Sequence, residues 1–99
     1  MDTEDFRGAY EKLLKTAGID YQLGLMQEEA AELIAAINRF RFSRRKRNML
    51  QLTADVIEEV ADVLVMVEQL IVIFGHDEVK RVRDEKVKRT LERVYGKDF

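Results

Sequence analysis

Residues 49–74 hold this chain to a helical fold. The stretch contains no Gly, Pro, Lys or Arg, and its apolar residues recur with the 3.6-residue period of a helix. One face carries Thr53, Val56, Ile57, Val60, Val63, Leu64, Val67, Ile71 and Phe74. Val and Ile favour strands, but the period and the absence of turn residues argue against a strand of this length. Ala61, Val65, Met66, Val72 and Ile73 fall outside that face. A helix apolar nearly all round is covered on more than one side. In a chain of 99 residues, this predicts a central helix covered partly by its own chain and partly by a second copy.

Acids interrupt this apolar stretch at Glu58-Glu59-Val60-Ala61-Asp62, and Asp55, Glu59 and Asp62 lie on one side, with Met66 continuing the line. A second acidic patch, Glu28-Glu29-Ala30-Ala31-Glu32, lies in another strongly helical segment, predicted over about 21–42. That segment has the apolar stripe Met26, Ala30, Leu33, Ile37 and Phe40, and alanines at 30, 31, 35 and 36 that let another helix approach closely. At about 100° per residue, Glu29 lies about 40° from Leu33, Glu32 about 100° and Glu28 about 140°. Geometry therefore nominates Glu29 and Glu32 for an inward site ahead of Glu28. Charged faces of this kind are ordinarily solvated and paired at i,i+4. Here no base lies three or four residues from either patch; Arg39 is the first after Glu32, and none lies between Asn48 and Lys80. A short connection makes the two helices antiparallel neighbours. Unpartnered acids brought together in this way are costly, and a shared divalent cation relieves the cost. Carboxylate oxygens suit Mg²⁺, with Mn²⁺ as a substitute. A di-iron bundle would need Glu-x-x-His pairs, and the only His, His76, lies outside both patches.

The remaining segments frame these two helices. Phe6, Tyr10, Leu13 and Leu14 predict a short amphipathic helix over about 4–16, closed by Gly18, with Asp20 as N-cap of the next helix. The connection at 43–48 is basic and is extended by Arg39 and Arg41; it reads as a solvated loop or, alternatively, as a clamp for an anion. Gly75 is the expected C-cap of the long helix and Asp77 the N-cap of the last, over about 78–95, with His76 exposed in the turn. The last helix has Val79, Val82, Val87, Leu91 and Val94 as apolar positions, and Lys86, Arg89 and Arg93 form a basic ridge. That ridge is either a salt-bridged face or a cradle for phosphates.

Composition narrows the function. The net charge of −2 argues against general binding of nucleic acid. There is no Cys, so disulfides and thiolate metal sites are excluded. No apolar run is long enough for a membrane span, and the acidic start (Asp2, Glu4, Asp5) is the opposite of a secretory signal. A single cytoplasmic domain, residues 1–99, is the expectation.

The combined pattern resembles the MazG-type all-α nucleoside triphosphate pyrophosphohydrolases. Glu28-Glu29-x-x-Glu32-Leu33 and Glu59-Val60-Ala61-Asp62-Val63-Leu64 resemble the two metal motifs of that family. Phe74-Gly75, and then Lys86-x-x-Arg89-x-x-x-Arg93-Val94-Tyr95-Gly96, resemble its closing stretch. The likeness covers about residues 20–96. It implies a four-helix-bundle-like, oligomeric all-α fold, either homodimer or homotetramer. It also implies a Mg²⁺-dependent enzyme that cuts an NTP or dNTP between its α and β phosphates. By the same resemblance Glu29, Glu32, Glu59 and Asp62 are the metal ligands. Glu28 and Glu29 are the catalytic acids, Glu28 placing the water, and Lys86, Arg89 and Arg93 hold phosphates. Members of the family often carry a polar residue, commonly Asn, just before the Gly of the last turn. Ile71, Val72, Ile73 and Phe74 occupy that stretch here, so base or sugar recognition differs. The alternatives are a phosphoribosyl-ATP pyrophosphohydrolase-like enzyme and a non-catalytic helical dimerisation module.

Overall fold

The structure is a computed structural model and describes residues 3–43 and 48–97. It is all-helical, with no strand among the described residues. A 3₁₀ turn, Thr3–Phe6, leads into α1 (Arg7–Ala17), followed by α2 (Ile19–Phe42), α3 (Met49–Phe74) and α4 (His76–Tyr95). No helix is long and apolar enough to cross a membrane. Residues 44–47 of the basic connection lie outside the described residues.

Two predicted caps are corrected. Asp20 and Asp77 sit inside the first turns of α2 and α4, and the residues before these helices are Gly18 and Gly75. Each glycine is the whole link between two helices, with φ of +95° and +104°. Only glycine takes that conformation cheaply, and a one-residue link leaves no place for an Asp cap. The N–H of Gly18 bonds to the Leu14 carbonyl, and that of Gly75 to the Ile71 carbonyl. His76 is consequently the first residue of α4 and is partly covered, with Nδ1 3.2 Å from Asp77 Oδ1.

Helices α2 and α3 form the main packing pair, with α1 laid against both. Tyr10 and Leu14 are the buried anchors of α1, and the Tyr10 hydroxyl bonds to Glu68 of α3. The seam between α2 and α3 is partly polar. Gln22 Nε2 donates to Gln69 Oε1 at 2.7 Å, and both side chains are buried, at 5% and 2% exposure. Gln69 Nε2 also approaches the Val65 carbonyl at 3.4 Å. Moving along α2 from Gln22 to Glu29 matches moving back along α3 from Gln69 to Asp62. The step from Glu29 to Glu32 matches that from Asp62 to Glu59. One antiparallel register thus aligns all three pairs.

A buried amide pair is satisfied only in register, so it fixes how two apolar helices slide on each other. Gln22→Leu should destabilise the protein by about 1–3 kcal/mol, because Gln69 Oε1 is left buried without a donor. The double change Gln22→Leu/Gln69→Leu should recover most of that stability while weakening divalent-metal affinity, since an apolar seam no longer fixes the register. Urea unfolding and metal titration of the three proteins check this. A double variant as unstable as the single would show that the amides do not act as a pair.

The inward face of α3 keeps only part of its most regular apolar stripe, of which Val56, Val63, Val67 and Ile71 are partly buried. Met66 and Gln69 are buried, and Asp55, Glu59 and Ile73 are partly buried, whereas Ile57, Leu64 and Phe74 are 63%, 55% and 64% exposed. Thr53 and Val60 are exposed as well. Because α3 is apolar nearly all round, periodicity alone does not choose its inner face; the partner surface of α2 does. On α2 the inner line is Gln22, Met26, Glu29, Ala30, Leu33 and Ala36, with Ile37 and Phe40 exposed.

Helix α4 leaves this unit. None of its residues is buried, and it has no extended contact with α1 or α2. The chain spans 44 Å along two axes and 23 Å along the third. Its radius of gyration is 16.9 Å, against about 13 Å for a compact domain of this length. Its accessible surface is 7982 Å², against about 5,800 Å² for a compact monomer of 11.6 kDa.

Candidate metal centre

The α2–α3 register brings the two acidic patches together. One carboxylate oxygen from each of Glu29, Glu59 and Asp62 falls within a single 4.8 Å cluster. Glu32 adjoins this cluster, and its charge acts on both Glu29 and Glu59. Burial pushes the Glu29 carboxyl above its ordinary value, and the charges of Glu32, Asp62 and Glu59 push it further. Burial likewise raises Glu59, reinforced by the charges of Glu32 and Asp62.

Among the described residues, Glu29 Oε2 and Glu59 Oε2 are buried without a hydrogen-bond partner. Buried polar atoms are almost always satisfied, so a buried, unpartnered oxygen on two members of the cluster is the feature a bound cation accounts for. The donor set is oxygen only and anionic, which fits a hard divalent ion such as Mg²⁺ or Mn²⁺. Glu29, Glu59 and Asp62 could hold such an ion directly, with Glu32 beside Glu59 as the fourth carboxylate.

The other expected site residues lie apart from this cluster. Glu28 is exposed on the outer side of α2, as its angular position predicts. Asp55, one turn before Glu59, accepts a hydrogen bond from Gln51 Nε2 at 2.7 Å. Lys86, Arg89 and Arg93 line a surface hollow of about 240 Å³ with Thr90, on α4. His76 stands at the start of α4, outside the cluster. Sequence reasoning did not single out a larger hollow of about 600 Å³ bounded by Asn38, Arg39, Phe42, Ser43 and Leu52. Its walls come from two helices, and the only sequence signal for it is the pair of aromatics Phe40 and Phe42 near the end of α2. Arg41 stacks over the Phe42 ring, 4.8 Å from its centroid. Comparison with known proteins returns no match among family models, curated proteins or solved structures.

Proposed function

We propose that the chain is a divalent-cation-dependent nucleoside triphosphate pyrophosphohydrolase of the MazG type. Water adds at the α phosphorus, the bond to the α–β bridging oxygen breaks, and the products are nucleoside monophosphate and pyrophosphate. The observation that carries this reading is the meeting of Glu29, Glu59 and Asp62 around one point, with two buried oxygens lacking partners. The exposed face of α3 and the unburied α4 support an oligomer.

In this reading Glu29, Glu59 and Asp62 hold the cation, and Glu32 keeps Glu59 turned toward it. The bound ion supplies neutralisation of the phosphate chain and polarises the phosphorus centre. Glu28, next to Glu29 in the chain and exposed, orients the attacking water and accepts its proton in this reading. Lys86, Arg89 and Arg93 hold the departing pyrophosphate, whose charge suits charge-assisted hydrogen bonds.

The test is a panel of NTPs and dNTPs, with phosphoribosyl-ATP as a separate arm, assayed for pyrophosphate release with Mg²⁺ or Mn²⁺. Release from NTPs or dNTPs supports the reading. Release from phosphoribosyl-ATP alone moves the assignment to that related enzyme. No release from any substrate leaves a helical dimerisation module.

The oligomer is checked separately. The surface in excess of a compact monomer is about 2,100 Å² per chain, within the range that obligate interfaces bury. Sedimentation at tens of micromolar should give a dimer or tetramer; a monomer at that concentration rules this part out.

A further inference from the structure

The end of the molecule where α2 gives way to α3 is charged oppositely to the rest. Residues 33–54 hold six bases and no acid, whereas the remainder holds 11 bases against 19 acids. The overall charge of −2 is the sum of these two parts. It argues against binding of a polyanion by the whole surface, and not by this end. Arg39 and Arg41 stand in the last turn of α2 and form no ion pair among the described residues. Arg39 lines the hollow of about 600 Å³ together with Asn38, Phe42, Ser43 and Leu52. Phe42 is 66% exposed and Phe40 is 40% exposed, so aromatic rings stand at this surface. The Arg41 guanidinium lies over the Phe42 ring.

Charge and rings together select among the anionic partners. A carboxylate-rich peptide would meet the negative face of the ring and gain nothing from it. An anionic membrane would draw Phe42 into hydrocarbon, and the guanidinium on its ring would lose its water, which is costly for a charge. A duplex keeps its bases stacked inside. An unpaired base fits both groups, because it stacks on aromatic rings and on guanidinium planes alike. A strand also carries a phosphate at every step, which suits a run of cations better than one nucleotide does. The acid cluster does not oppose such a ligand. Along α2, Asn38 and Phe42 lie about 14 and 20 Å beyond Glu29, farther than the screening length of about 8 Å at physiological salt.

We propose that this end of the α2–α3 pair binds single-stranded nucleic acid, with one base in the hollow stacked on Phe42 and Arg41, and a backbone phosphate held by Arg39. The Asn38 amide, donor and acceptor both, stands at the rim to meet a base edge. Stacking carries most of the affinity beyond charge, so preference among the bases is weak. DNA and RNA strands share this chemistry. The proposal does not rest on the pyrophosphohydrolase reading, since the hollow and the acid cluster have no residue in common.

Fluorescence anisotropy of labelled twelve-nucleotide oligo(dT) and oligo(U) tests it, with the full chain and without divalent cation, so that no metal bridges the acid cluster to phosphate. At least one strand should bind saturably, and the two dissociation constants tell DNA from RNA. Phe42→Ala should weaken binding by about 5- to 100-fold, the range for one stacked base, and leave the melting temperature unchanged because the ring is exposed. Arg39→Gln should make the slope of log affinity against log salt shallower by about 0.7, the share of one phosphate on a single strand. The chain has no Trp, so Phe42→Trp introduces the only indole. It should keep the affinity, and the bound strand should quench its fluorescence. No binding at low salt, or wild-type affinity in Phe42→Ala, overturns the proposal. So does polyglutamate of equal charge displacing the strand as well as unlabelled strand does. A blue shift of the indole on vesicles of equimolar phosphatidylserine and phosphatidylcholine, without quenching by either strand, assigns the surface to a membrane and overturns it as well. Strand binding by a chain that releases no pyrophosphate from any nucleotide ends the hydrolase reading and supports this one.

Discussion

Glu59→Gln should lower pyrophosphate release at least about 100-fold, more than the loss typical for a residue that merely supports a metal ligand, while the helices stay formed. The amide keeps the shape of the side chain and removes the charge a hard cation requires. Glu29→Gln and Asp62→Asn should match it, because those three residues share the cluster. Glu32→Gln should fall between them and Glu28→Gln, since Glu32 acts beside Glu59 and Glu28 is exposed. Arg93→Ala should raise KM and leave metal affinity unchanged. Without metal the order of stability should reverse: Glu29→Gln and Glu59→Gln should be neutral or stabilising, because each relieves repulsion among close carboxylates. Melting with and without Mg²⁺, beside the activity of each variant, separates the two effects. Full activity in Glu59→Gln or Asp62→Asn would reduce the second acidic patch to a helix surface and remove the enzyme assignment.

Divalent cation should raise the melting temperature by about 10 °C or more at 100 times its Kd, since a ligand that binds only the folded state then adds about 2.7 kcal/mol. A shift below about a degree in several millimolar Mg²⁺ or Mn²⁺ would sink the shared-metal reading. The metal-free protein should show the opposite pH trend from the loaded one. Glu29 and Glu59 bind their protons more tightly folded than unfolded. Their contribution to stability is therefore fully present below the unfolded Glu pKa of about 4.3, and it is lost as pH rises through the raised folded values. Metal must displace those protons, so its stabilisation should grow over the same rise in pH. Comparing wild type with Glu29→Gln/Glu59→Gln cancels the background titration of other groups. A wild-type curve parallel to that of the double variant would show that the two carboxyls do not titrate abnormally.

Much of the helical layout is readable in the chain. The period of 49–74 and the glycines at 18 and 75 mark α3 and its boundaries, and α3 ends where Gly75 predicts. The angular reading holds for Glu29, which is partly buried, and for Glu28, which is exposed, but Glu32, expected inward, is exposed as well, because at about 100° from the inner line it sits at the rim of the α2–α3 seam. The Asp caps are misread because a one-residue link is decided by two helices together. The buried Gln22–Gln69 pair is invisible in sequence, since two glutamines 47 positions apart carry no local signal.

The sequence by itself determined that the chain is helical, that its acids stand in base-free apolar segments, and that Lys86, Arg89 and Arg93 form one ridge on the last helix. These properties are periodic or local, and a helix converts spacing directly into direction. The tertiary structure decided which face of α3 turns inward, that Glu29 and Glu59 each leave an oxygen buried without a partner, and that α4 departs from the acids instead of returning over them. A helix apolar on every side has no preferred inner face until a neighbour docks. Only the α2–α3 register, set by close packing and one buried hydrogen bond between the Gln22 and Gln69 amides, places carboxylates from distant segments in one cluster.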